Sequence, residues 1–176
     1  MLISERHRDI AAALLLRGQE LTIDQVHGVS RFRRPIALTR DRLVQDRMRA
    51  SVDMVREAVA QGRRVYGVTT GFGSMADVVV PQEYAAASQA NLLSFLAAGA
   101  GPPIDSLHVR GAMLLRANML LRGVSGVRFE IVERLVQFLD ADAVPVVREF
   151  GSIGASGDLV PLASIARVIT GHGHAN

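Results

Sequence analysis

Residues 151–161 read Gly-Ser-Ile-Gly-Ala-Ser-Gly-Asp-Leu-Val-Pro, with Ala155, Ser156 and Gly157 where a loop runs into an apolar helical stretch. Three small residues in this order can build an electrophile from their own backbone. Gly157 has no side chain to keep its amide nitrogen from folding onto the Ala155 carbonyl, and Ser156 can then lose its hydroxyl as water. The product is a 4-methylideneimidazole-5-one ring, an electron sink that needs no added coenzyme. The same run also suits an anion-binding turn with free amides at a helix start. It is not a phosphate-binding loop, because no Gly-Lys-Ser/Thr follows. Nor is it a nucleophile elbow, because Asp158 stands where G-x-S-x-G needs its second Gly.

A second cluster lies at Tyr66-Gly-Val-Thr-Thr-Gly-Phe-Gly73. Gly67, Gly71 and Gly73 let the backbone come close to a ligand, and Thr69 and Thr70 add hydroxyls. A phenolate is a useful base only where its pKa falls well below about 10, which helix amino termini or nearby cations bring about. On the residue alone, Tyr66 reads first as a packing residue at a strand end. The two clusters meet complementary needs. A benzylic C–H of an amino acid is too weakly acidic for any side chain until the amine becomes a leaving group. An electrophile makes that conversion, and a base then takes the proton.

Composition narrows the alternatives. Hydrophobic residues make up 49% of the 176 and aromatic residues only 5%, a core of Ala, Leu and Val that favours helices over a sandwich or barrel. There is no Cys, which excludes thiol catalysis, thiolate metal sites and disulfides, and a cytosolic setting is expected. All 20 basic residues are Arg, and the lack of Lys removes Schiff-base chemistry. Residues 1–64 carry 13 Arg against 8 acids, the remainder 7 against 9. The basic segment interleaves Arg with Asp and Glu and lacks aromatics for base stacking, so no nucleic-acid partner is expected. Ile10–Leu16 is apolar but brief and flanked by Arg. No apolar run approaches the ~20 residues of a membrane span, and no membrane partner is expected.

The elements that must position the two clusters read as mostly helical. A helix over 23–32 follows Thr22, with Gln25 completing a capping box. A longer one runs from about Arg40 to Gln61, capped by Thr39, stopped by Gly62, with Leu43, Val44, Met48, Val52, Val55 and Val59 at helical spacing. Residues 65–73 read as a short strand and loop. Helix resumes over about 82–98 and ends at the Gly-Ala-Gly-Pro-Pro breaker of 99–103. Ser106 caps a helix of about 107–122, and others follow over 128–140, with Ile131, Leu135, Val136 and Leu139 on one side, and over 158–170. Leu114, Leu115, Met119, Leu120 and Leu121 cannot all enter the core of one small domain. Such a helix belongs inside a larger bundle, and 1–176 reads as the amino-terminal part of one.

The segments Tyr66–Gly73 and Gly151–Pro161 resemble the two signatures of the aromatic amino acid ammonia-lyase family. Leu115-Arg-Ala-Asn118 and Gly123-Val-Ser-Gly-Val-Arg128 resemble further family blocks between them, in the family's order. The likeness spans about 66–171. It implies a mainly α, fumarase/aspartase-like helical fold and a homotetramer with active sites shared between subunits. It implies that Ala155, Ser156 and Gly157 form the 4-methylideneimidazole-5-one autocatalytically, with no metal or external coenzyme. Tyr66 would take the β-proton, the amine would add to the methylidene carbon derived from Ser156, and ammonia and an aryl acrylate would leave.

Substrate contacts are expected at Gly73, Phe95 and Leu96. In family members acting on tyrosine or histidine, a His commonly matches Leu96 and meets the polar ring. Here the pair is apolar, and an apolar wall leaves a buried hydroxyl or imidazole without a partner. Phe95 and Leu96 are therefore similar to those of phenylalanine-type ammonia-lyases, including bacterial ones. Without the resemblance both read as core residues of their helix. A histidine or tyrosine lyase, an aminomutase, and a catalytically silent amino-terminal fragment are the alternatives. His172-x-His174 lacks a carboxylate companion, and no metal site is expected there.

Overall fold

The computed structural model describes residues 12–154 and 157–175. Among them are six α-helices: α1 Ile23–Phe32, α2 Arg42–Ala60, α3 Gln82–Leu96, α4 Ser106–Leu120, α5 Phe129–Asp140 and α6 Leu159–Ile169. Two small two-stranded sheets complete them. β1 Leu14–Leu16 pairs parallel with β2 Ile36–Leu38, and β3 Ala100–Pro103 pairs antiparallel with β4 Arg148–Phe150. In β1 the period of two is plain: Leu14 and Leu16 are buried, Leu15 is exposed.

The core forms around α4, which packs against α1 on one side and α5 on the other. Val109, Met113, Leu114, Ala117 and Leu120 of α4 meet Val132, Leu135, Val136 and Leu139 of α5 in one buried cluster. Each large aliphatic side chain taken fully from water contributes roughly 2 kcal/mol. Leu115 and Met119, on the other side of α4, stay 50% and 43% exposed, as their crowded spacing implies.

The helix starts follow local chemistry, with corrections. Thr22 makes the expected capping box: its hydroxyl accepts from Gln25 N–H while Gln25 Oε1 accepts from Thr22 N–H. α2 is capped by Asp41 rather than Thr39, and α4 by Asp105 rather than Ser106. In each case an Asp carboxylate accepts the amide two residues on, at 2.9 Å, and its charge suits the helix amino terminus better than a hydroxyl. Thr39 acts one step earlier, accepting from Asp41 N–H. α3 ends at Leu96, short of Ala98, and the 99–103 breaker becomes β3. The strand expected within 65–73 is reduced to a single bridge, Thr70 opposite Val79, in a run of turns that leads into a short 3-10 helix, Gly73–Met75. Threonine hydroxyls there bond their own backbone and compete with strand pairing.

One charge is buried in this core. Arg110 of α4 is 3% exposed. Its guanidinium donates to Val29 O at 3.2 Å, to Leu139 O at 3.0 Å and to Asp142 Oδ1 at 2.7 Å. Val29 and Leu139 lie in the last turns of α1 and α5, so one cation donates to carbonyls at two helix carboxy termini. Burial lowers the Arg110 pKa and Asp142 opposes the shift; the group stays charged. Asp142 also accepts from Arg33 Nε at 2.8 Å. Arg110→Met is expected to destabilise the fold by about 1–3 kcal/mol, because it leaves the Val29 carbonyl without this donor and removes the cation that faces Asp142. Arg110→Lys should fall between, since an ammonium does not reproduce the planar fork. Urea unfolding midpoints at constant slope check both.

Candidate active site

The tyrosine loop begins where α2 ends at its cap, Gln61. Thr69 and Thr70 hold it. Thr69 Oγ1 accepts from Val65 N–H at 2.8 Å and donates to Arg63 O at 3.0 Å. Thr70 Oγ1 accepts from Gly67 N–H at 3.2 Å and donates to Gly71 O at 3.0 Å. These hydroxyls are occupied by the loop's own backbone, which corrects the expectation that they are offered to a ligand.

Tyr66 is 65% exposed. Its phenolic oxygen accepts from Gly73 N–H at 3.1 Å, and its ring lies edge-to-face with Phe72, centroids 6.2 Å apart. That amide opens the 3-10 helix, so the oxygen sits at a helical amino terminus. Gly67 follows with φ +70, and a Cβ there would come within 2.7 Å of Phe72 Cε1. Both its backbone conformation and the space around it call for glycine. Gln89 of α3, absent from the sequence-based expectations, donates from Nε2 to Gly67 O at 2.6 Å. Its signal in the sequence is spacing: Gln89, Leu93 and Leu96 recur at helical intervals on one face of α3.

The small-residue loop leaves β4 at Gly151. A Cβ there would lie 3.1 Å from both Gly99 Cα and Val160 Cγ1, so the chain passes closely between the end of α3 and the start of α6. Ser152 Oγ donates to Asp158 Oδ1 at 2.5 Å and closes the base of the loop. Ala155 and Ser156 lie outside the described residues. Gly157 is exposed with φ +118, and open space surrounds the position of a Cβ. α6, which starts two residues later, packs along α3.

Of the expected substrate contacts, Gly73 meets Tyr66 directly, Leu96 is half-buried, and Phe95 is 79% exposed. Asn118 holds structure: its Oδ1 accepts from Gly18 N–H at 3.1 Å and its Nδ2 donates to Gln19 O at 2.6 Å, fixing the segment after β1. A half-open cleft of about 610 Å³ elsewhere is lined by Arg17, Arg47 and Arg122 with an apolar rim, and contains none of the candidate site residues. Volume does not locate the chemistry here. Among the described residues no group of three or more His, Cys, Asp or Glu could hold a metal, and no helix is long and apolar enough to cross a membrane.

Among the described residues, a helical frame presents a glycine-held tyrosine. The family model for aromatic amino acid lyases matches residues 21–176, and the chain belongs to that family. It is 49% identical over 153 residues to a phenylalanine ammonia-lyase of Nostoc punctiforme, covering 87% of this chain and 27% of that protein. It is 42% identical over 162 residues to a histidine ammonia-lyase of Caldanaerobacter subterraneus, covering 92% and 32%. A tyrosine aminomutase structure from Streptomyces globisporus superposes with a TM-score of 0.86 at 30% identity, covering 93% of this chain and 30% of that one. The chain thus spans about a third or less of the length of these relatives.

The close approach at Gly67 is testable with the chain's own chromophores. It holds two Tyr and no Trp, so in a Tyr84→Phe background the near-ultraviolet circular dichroism reports Tyr66. Gly67→Ala is expected to weaken that band by displacing Phe72, with little change in the far-ultraviolet spectrum. An unchanged band would show that the loop accommodates a Cβ.

Proposed function

We propose that this chain carries the base and the electrophile-forming loop of an aromatic amino acid ammonia-lyase acting on L-phenylalanine, giving trans-cinnamate and ammonia. The observation that carries the reading is the Tyr66 phenol, exposed and held by the Gly73 amide in a loop tied to α3. An N–H aimed at that oxygen becomes a charge-assisted hydrogen bond once the phenol has given up its proton. Tyr66 Oη is then poised to take the β-proton of a bound amino acid. The 49% identity to a phenylalanine ammonia-lyase and the apolar Leu96 support phenylalanine as substrate.

The loop fits a 4-methylideneimidazole-5-one built from Ala155-Ser156-Gly157. Gly157 holds a backbone conformation that side chains rarely adopt, and the Ser152–Asp158 hydrogen bond brings the two ends of the loop together. Such a ring supplies the electrophile that turns the substrate amine into a leaving group. The protein's part is to present it beside an apolar wall and to hold the phenolic oxygen as proton acceptor. A cytoplasmic homotetramer with shared sites belongs to the same reading. So does a chain that forms the amino-terminal part of the lyase fold, in which Leu115 and Met119, exposed here, are covered by further helices.

Those exposed apolar side chains also favour a second reading, in which the 176 residues are silent by themselves. Intact mass separates the two. Ring formation removes two waters from 155–157, and an unmodified mass would overturn the electrophile in this chain. Turnover should favour L-phenylalanine over L-tyrosine and L-histidine, read as growth of the aryl acrylate absorbance; a faster rate on either competitor overturns the substrate assignment. Leu96→His is expected to move relative kcat/KM towards tyrosine by roughly tenfold or more. No gain for tyrosine would count against the apolar-wall argument.

A further inference from the structure

We propose that Gln89 is a positioning residue, which holds the Tyr66 base in register with the substrate wall and the electrophile-forming loop; the catalytic part of this rests on the lyase reading above. The tyrosine loop is otherwise bound chiefly to itself. Thr69 and Thr70 bond backbone groups within 63–71, and Gly73 bonds Tyr66. Backbone pairing ties it to the segment just before α3, through Gly71 N–H to Val78 O and Val80 N–H to Thr69 O. Among the described residues, the side-chain hydrogen bond that joins 65–73 to a helix is the one from Gln89 Nε2 to Gly67 O, at 2.6 Å.

Its location makes that bond consequential. Gly67 directly follows the base, with its N–H bonded to Thr70 and its carbonyl to Gln89. Both polar groups of the residue that aims Tyr66 are therefore fixed. Leu96 lies seven residues after Gln89 on the same helix face, about 10 Å along the axis. α3 also packs along α6, whose start follows the Ser152–Asp158 closure. One helix therefore references the base, the substrate wall and the electrophile-forming loop to one another.

The chemistry requires an uncharged donor of this length. Glu at position 89 has the same reach but, ionised, sets a carboxylate against the Gly67 carbonyl and donates nothing. Leu keeps helix propensity and bulk without the amide. Gln89 is exposed, so neither Gln89→Glu nor Gln89→Leu removes core packing.

Hydrogen exchange on the purified protein is the first arm. Both variants are expected to speed exchange of the 65–73 backbone amides by roughly three- to tenfold, the loss of one hydrogen bond, and to leave α4 and α5 amides unchanged. Unchanged exchange in 65–73 overturns the tie. Steady-state kinetics is the second arm. A misaimed base should lower kcat by roughly ten- to a hundredfold with KM for L-phenylalanine within about twofold. Faster exchange with an unchanged kcat, or a KM that rises in proportion as kcat falls, overturns the positioning role. If the wild-type protein turns over no aromatic amino acid, the lyase reading and the catalytic role fail together, while the exchange arm still decides whether Gln89 holds the loop.

Discussion

A single buried guanidinium sets the arrangement on which the other elements build. A cation in a core of Leu, Val and Met is unfavourable unless its donors are used and its charge is met. Arg110 meets that demand through its two terminal nitrogens, which reach two carbonyls near helix ends and one carboxylate at once, while its buried Nε donates to none of the described residues. Those acceptors belong to α1, to α5 and to the residue pair just beyond α5. The planar fork ties the relative placement of the three helices, a polar requirement that apolar burial alone does not impose. Asp142 takes part with a positive φ of 53° and shares its second oxygen with Arg33, itself at φ 52°. The two left-handed residues and the cation define one knot where α1 and α5 end.

The candidate site is built outside that knot, on segments the core does not bury. Tyr66 and Gly157 lie on loops, and what positions them is a relay of specific contacts instead of close packing. The loops carry positive-φ glycines and threonines bonded to their own backbone, which gives them definite shapes without large apolar area. α3 and α6 connect these shapes to the frame, and α6 reaches the core through Ile165 and Ala163. Such loops can therefore hold left-handed glycines while the folding free energy resides elsewhere.

Much of this frame was legible in the sequence because helices announce themselves by period. The set Ile131, Leu135, Val136 and Leu139 located α5 and most of its buried face, and Thr22 with Gln25 located the start of α1 to the residue. The caps at Asp41 and Asp105 were less legible, since each stands beside a hydroxyl residue that satisfies the same rule. Three-residue strands such as β1 and β4 are too short for any period to register. At the site, Tyr66 and the Ala-Ser-Gly run stood out by type. Gln89 did not. A glutamine on a helix surface is ordinary in sequence, and only the fold brings Gly67 O to its amide.

On the proposed lyase reading, α3 serves both the base and the substrate wall, and that sharing bears on how selective such a protein can be. An apolar wall at Leu96 rejects a ring hydroxyl weakly, by roughly a hundredfold, because the penalty is one poorly partnered polar group. A wall carrying a hydrogen-bonding side chain rejects the ring that lacks a partner far more strongly, since the protein's own buried group is left empty. On that reading Leu96 favours breadth with a preference, and a fixed base would extend that breadth. A phenolic oxygen held by Gly73 and referenced through Gln89 to α3 keeps its position whichever aromatic ring lies against the same face. Selectivity then depends on the wall and proton transfer on the loop, and helical spacing along α3 keeps the two in register.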